Sequence, residues 1–176
     1  MNIRIATSRD KQAIKAVHIE AFPEGEGETV AKLAADLLEN DTTPDTFSLV
    51  AERDGAIVGH VAFSPVFVEG VDDFNGYILA PLGVKASSQK GGLGRALIED
   101  GLRRLSDRGV EVLFVYGDPD YYGRFGFGAE AADGYDAPYP LQYPFGWQAV
   151  VLNEANPADL PVTITCVESL CDPGLW

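Results

Sequence analysis

The sequence predicts an α/β (α+β) fold: a mixed, mostly antiparallel central sheet flanked by helices. Three observations carry that expectation. Asp54-Gly55 stands between two stretches rich in Val, Phe and Ile, the strongest short-range signal for a tight hairpin. A strand, a helix and a strand then follow one another over residues 77–116, an order that requires a right-handed crossover between parallel strands. Two helical stretches, finally, precede the hairpin.

Taken in order, residues 2–6 alternate apolar and polar and read as a first strand. Thr7 followed by Asp10 has the Thr-x-x-Asp form of a capping box, so a helix starts there and carries Ile14, Val17 and Ala21 on one face. Pro23, Gly25 and Gly27 interrupt it before a second helix over 28–39. Residues 48–53 and 56–68 form the hairpin, and a turn over 70–75 leads into a strand over 77–84. Leu93, Leu97, Ile98, Leu102 and Leu105 give residues 92–108 an apolar helical stripe, and 110–116 read as the next strand. Beyond Gly126 the period fades among Pro, Gly and aromatic residues, with short strands expected at 147–152 and 162–167.

The chain has 176 residues, 46% of them hydrophobic, which suits one domain over 1–176 with a core of its own. No signal-type or membrane-spanning apolar run is present, so the expected location is cytoplasmic. Cys166 and Cys171 are the only cysteines and read as free thiols, and no metal-ligand spacing occurs. A formal charge of −14 argues against nucleic acid as a partner, and reads either as a device for solubility or as a field that attracts cationic substrates.

The sharpest feature is Gln89-Lys90-Gly91-Gly92-Leu93-Gly94-Arg95-Ala96, between a predicted strand and a predicted helix. Its glycines let backbone N–H groups converge without obstruction, and the helix start adds partial positive charge, so the loop suits a pyrophosphate. The alternative is a turn that merely needs glycine. A nucleotide P-loop is excluded because Arg95-Ala96 stands where Lys and Ser or Thr belong, and a dinucleotide fingerprint because Leu97 replaces its third glycine. Lys85, Lys90 and Arg95 bracket the loop in an otherwise acidic chain, a local reversal that an anionic ligand would need, the alternative being solvated loop lysines.

Gln-x-x-Gly-x-Gly on residues 89–94, preceded by Leu82-Gly83-Val84, resembles the acetyl-CoA loop of the GNAT superfamily of N-acetyltransferases. Gly117-Asp118-Pro119, Tyr121-Tyr122 and Arg124-Phe125-Gly126-Phe127 are similar to a bacterial branch of that superfamily. The resemblance covers residues 1–127, and residues 128–176 match weakly. It implies a parallel strand pair that splays open, with acetyl-CoA as acyl donor bound by Leu82, Gly83, Val84 and residues 89–96. It also implies direct attack by a primary amine in a ternary complex, a backbone N–H near 82–84 for the oxyanion, and Tyr122 as the catalytic acid. A homodimer is compatible with it. The competing readings are a non-catalytic acyl-CoA-binding module and a Tyr122 that only packs. Glu20, His18, His60 and Glu69 are the candidates for the base. A cationic acceptor is expected to approach through residues 23–28 and the aromatic stretch around Tyr135, Tyr139 and Tyr143.

Overall fold

The computed structural model describes residues 1–154 and 159–176. They cluster into two compact units, Met1–Phe63 with Ala80–Gly101, and Ser64–Leu79 with Leu102–Trp176. Strands β3 (Ala56–Val68) and β4 (Val71–Val84) and helix α3 (Leu93–Asp107) each contribute residues to both. The architecture is the expected one, a mostly antiparallel mixed sheet with helices flanking it.

In the first unit β1 (Asn2–Ile5) pairs antiparallel with β2 (Phe47–Arg53), and β2 with β3. The hairpin closes where expected, Arg53 opposite Ala56, with Asp54 at φ 52° and Gly55 at φ 77°. Two left-handed residues in succession are what a two-residue hairpin turn of the favoured twist requires. Helices α1 (Lys11–Ala21) and α2 (Glu26–Glu39) turn small and apolar residues inward, and Ile14, Ala34 and Val50 pack as one buried cluster. A Cβ at Gly27 would stand 2.9 Å from the Ile19 Cα, so this glycine lets the two helices approach closely.

The capping box forms as predicted: the Thr7 N–H donates to Asp10 Oδ2 at 2.7 Å, ahead of a 3-10 turn that runs into α1. Arg4 grips the same carboxylate with two nitrogens, at 2.8 and 2.9 Å, and reaches Glu52 with Nη2 at 2.7 Å. The Arg4 hydrogen bonds are the main reason that the Asp10 carboxyl is held down at about 2. A folded-state value below the unfolded one (about 3.9) stabilises the fold fully above that pH. The contribution is lost as pH falls towards 2. Asp10→Asn is therefore expected to cost about 1.5–3 kcal/mol at neutral pH, and urea unfolding near pH 2 should show the gap closing.

In the second unit β4 and β5 (Val112–Tyr116) form the parallel pair, in register from Gly76 with Val112 to Leu79 with Val115. The antiparallel partner of β5 on its other side is β7 (Trp147–Val151). Strand β8 (Val162–Cys166) pairs antiparallel with the end of β3 and parallel with the two-residue β6 (Tyr135–Asp136). The aromatic core stacks Phe114 on Trp147 at 5.2 Å and sets Tyr135 edge-on to Phe114 at 5.2 Å.

One expectation needs correction. The chain does not turn over 70–75: only Gly70, at φ 78°, marks the reversal, and β4 begins at Val71. Asp72 and Asp73 are exposed on the strand's outer end, and exposed polar residues there look like a turn in sequence. Among the described residues, no helix is long and apolar enough to cross a membrane, and no group of His, Cys, Asp and Glu could hold a metal ion.

Candidate active site

The connection from β4 to α3 carries the predicted anion loop. Lys90 (φ 65°) and Gly92 (φ 75°) both take left-handed backbone on either side of Gly91. Alternating handedness of this kind turns successive N–H groups to one side and makes an anion-binding concavity. For a lysine such backbone costs of the order of 1–3 kcal/mol, which points to a purpose beyond connection. The first α3 N–H to find a carbonyl is that of Ala96, donating to Gly92 O at 3.0 Å. The N–H groups of Leu93, Gly94 and Arg95 are thus left at the positive end of a 15-residue helix.

The predicted loop residues divide by role. Gln89 Nε2 donates to Val84 O at 3.1 Å, which ties the loop's entry to the end of β4. Leu93 is fully buried and offers only its N–H, while Arg95 pairs along the helix with Glu99 at 2.8 Å. Lys90, Gly91 and Gly92 are exposed, and Leu82, Val84, Gly94 and Ala96 are half-buried.

Sequence reasoning missed Arg53. A Cβ at Gly91 would meet the Arg53 Nη2 at 3.1 Å, so the guanidinium lies against the loop. It has no ion pair among the described residues. The signal was present: Arg53 is the last strand residue before Asp54-Gly55.

Beneath Gly83 lies a second feature that single positions did not reveal. His18 and His60 are both completely buried, with His18 Nε2 2.8 Å from His60 Nδ1. His18 fills the notch left by the missing side chain of Gly83, where a Cβ would stand 2.6 Å from His18 Nδ1. Burial pushes His18 down to about 4 and His60 well below its ordinary value, so both are neutral at physiological pH. His18 is part of the core. Glu20 is engaged too, with Oε1 accepting from Ser87 Oγ at 3.2 Å, and Glu69 is exposed beside the Gly70 turn.

In the second unit, Tyr122 ends the short helix α4 (Pro119–Tyr122), whose start is capped by the Asp118 carboxylate accepting from the Asp120 N–H at 2.9 Å. Its ring packs so tightly on Gly117 that a Cβ there would lie 2.5 Å from Tyr122 Cε2. Phe127 and Tyr121 meet it edge-on at 5.8 and 5.0 Å. Burial, then the neighbouring Tyr121 and Asp118, raise the phenol's pKa well above its ordinary value, so Tyr122 keeps its proton through neutral pH.

Next to Gly117 opens a cavity of about 330 Å³ lined by Tyr116, Gly117, Asp118, Tyr143, Phe145 and Gly146. Its walls are tied together. The Tyr116 hydroxyl accepts from the Tyr143 N–H at 2.8 Å, and Gly117 N–H donates to Gly146 O at 3.0 Å. The buried Gln148 amide donates to Gly117 O at 3.1 Å and Gly146 O at 3.2 Å. Of the aromatic stretch expected to face an acceptor, Tyr143 lines this cavity, whereas Tyr135 is buried in the core and Tyr139 leans on Trp176.

Residues 2–129 match the family model of the acetyltransferase (GNAT) domain. The chain is 35% identical over 168 residues to the uncharacterised N-acetyltransferase YjhQ of Escherichia coli K12, covering 93% of this chain and 91% of that protein. The crystal structure of the E. coli GNAT N-acetyltransferase YhbS in complex with CoA superposes with a TM-score of 0.82 at 31% identity, covering 96% of this chain and 90% of that one. A GNAT acetyltransferase of Brucella melitensis in complex with acetyl-CoA gives 0.65 at 34% identity, covering 89% and 90%. With the family model spanning most of its length and a relative aligned almost end to end, this chain belongs to the GNAT family of acetyltransferases.

Proposed function

We propose that the protein binds acetyl-CoA on the loop over residues 89–96 and transfers the acetyl group to a primary amine by direct attack in a ternary complex. The observation that carries this reading is the cradle itself: left-handed Lys90 and Gly92, three open N–H groups at the start of α3, and an unpaired Arg53 beside Gly91. Each is suited to a pyrophosphate, in a chain whose net charge would otherwise repel one. Support comes from relatives above 30% identity whose structures hold CoA or acetyl-CoA.

In the reaction the free amine's lone pair attacks the thioester carbonyl carbon, forming the C–N bond. A backbone N–H of the 82–84 segment stabilises the oxyanion. Collapse breaks the C–S bond, and Tyr122 gives its phenolic proton to the departing sulfur. The nitrogen sheds one proton to water and water reprotonates Tyr122, so one nitrogen proton has been exchanged for one on sulfur. The buried, neutral His18–His60 pair holds Gly83 from below and takes no proton in this scheme.

Gly94→Asp tests the cradle. A carboxylate beside the pyrophosphate should cost about 1 to 4 kcal/mol of affinity. Calorimetry with acetyl-CoA on the folded variant measures it, with Arg53→Ala expected to weaken binding less. Undiminished affinity in Gly94→Asp would show that the pyrophosphate lies elsewhere.

A further inference from the structure

The cavity beside Tyr122 selects its ligand by three properties. Its size, about 330 Å³, is at the lower end of small-molecule sites and fits one ring with a short chain. Its walls are chiefly aromatic: Tyr116, Tyr143 and Phe145, the last two exposing 53% and 68% of their surface with their rings 5.8 Å apart. Faces arranged in this way offer apolar contact to a flat group and quadrupole attraction to a cation.

Charge is the second selector. Asp118 is the one charged residue in the lining, and no cation pairs with it among the described residues. An anionic ligand is disfavoured there, and an ammonium group is favoured both by this carboxylate and by the net charge of −14.

Hydrogen bonding is the third. Few polar groups of the wall are open: the Tyr116 hydroxyl already accepts from the Tyr143 N–H, and the Gly117 and Gly146 carbonyls accept from Gln148, which leaves the two phenol O–H groups and the Asp118 carboxylate. A polyhydroxylated or multiply charged acceptor would surrender water here and receive little in exchange. An amine with one cationic end and an apolar body has a single polar end to desolvate, and Asp118 is there to meet it.

We infer that the acceptor is a primary amine on a flat apolar body, an arylalkylamine, seated among Tyr116, Tyr143 and Phe145 with its ammonium end on Asp118. This rests on the acetyl transfer proposed above and names the acceptor class for it. Gly117, which lines the cavity, also packs against the ring of Tyr122, so the proposed proton donor adjoins the cavity wall. The bound ammonium first gives one proton to water, and the free amine so formed attacks and sheds its second proton as in the scheme above.

The test is CoA release from acetyl-CoA with 2-phenylethylamine, spermidine and glucosamine as acceptors, together with calorimetry of acetyl-CoA alone. The expected result is a kcat/KM for 2-phenylethylamine at least about tenfold above the other two, a preference worth about 1.4 kcal/mol. Phe145→Ala should raise the KM for 2-phenylethylamine by about tenfold and leave that for acetyl-CoA unchanged. Asp118→Asn, which can still accept from the Asp120 N–H, should raise the amine KM as well. Preference for spermidine or glucosamine, or acetylation of none of the three by a protein that binds acetyl-CoA, overturns the acceptor class alone. A Phe145→Ala effect on acetyl-CoA instead of the amine assigns the cavity to the donor and also overturns it. Failure to bind acetyl-CoA at all removes the acetyl-transfer reading and this inference with it.

Discussion

Tyr122→Phe is expected to lower kcat by about 10² to 10⁴, the range that a positioned general acid contributes, while acetyl-CoA affinity and folding persist. The substitution deletes one oxygen and keeps the ring, whose packing on Gly117, Tyr121 and Phe127 does not involve the hydroxyl. Tyr121→Phe is the control, because Tyr121 carries the Arg124 guanidinium over its ring at 4.7 Å and should tolerate the change. The pH profile adds a second readout. Because burial raises the Tyr122 pKa, the protonated, donating form persists as pH rises through the ordinary tyrosine value of about 10. No basic fall in kcat is therefore expected there. Full turnover by Tyr122→Phe when chemistry limits the rate would move the proton to water or another residue and leave the cofactor loop untouched.

The second large effect is structural. Gly101→Ala places a Cβ 2.1 Å from Phe63 Cζ and 2.6 Å from its Cε2, deep inside van der Waals contact. Phe63 is fully buried and stacked on Phe47 at 5.2 Å, so its ring can yield only by disturbing packed neighbours. Alanine improves helix propensity by about 1 kcal/mol, but overpacking costs about 1–3 kcal/mol or more, and a contact this short lies at or beyond the upper end. The net loss should be at least about 2 kcal/mol, seen as a melting temperature lower by about 4 °C or more in a chain of this size. Phe63→Leu introduced alongside should recover part of the loss. Simple additivity of the two changes would show that they do not share the contact.

Much of the fold was legible because it is locally encoded. The Thr7–Asp10 cap, the Asp54-Gly55 turn and the stripe from Leu93 to Leu105 each lie within a few residues of what they specify. The two-residue strand at Tyr135 was not, since it is held by Phe114, Trp147 and pairing to Val162, all distant in sequence. The candidate site divides the same way. The glycine loop is one continuous segment and announced itself. Arg53 reaches that loop only through the hairpin, the His18–His60 contact joins a helix to a strand, and the aromatic cavity joins residues 116–118 to 143–146. Neither periodicity nor motif spacing records such meetings. Histidines at 18 and 60 accordingly looked like base candidates, and the structure buries both completely.

The two buried imidazoles have a further property as a pair. Being neutral, each ring carries a single N–H, and their facing nitrogens at 2.8 Å share one of the two. If His18 donates, its Nδ1 beneath Gly83 is bare and the far nitrogen of His60 bears a hydrogen; if His60 donates, both assignments reverse. The outer nitrogens are thus always complementary, and neither has a partner among the described residues to fix the choice. The pair is a two-state tautomeric element, in which neither ring can switch without the other. A change in the electrostatic field along β4 at Gly83 biases one state over the other, and ring-nitrogen NMR shifts would register it at both histidines together.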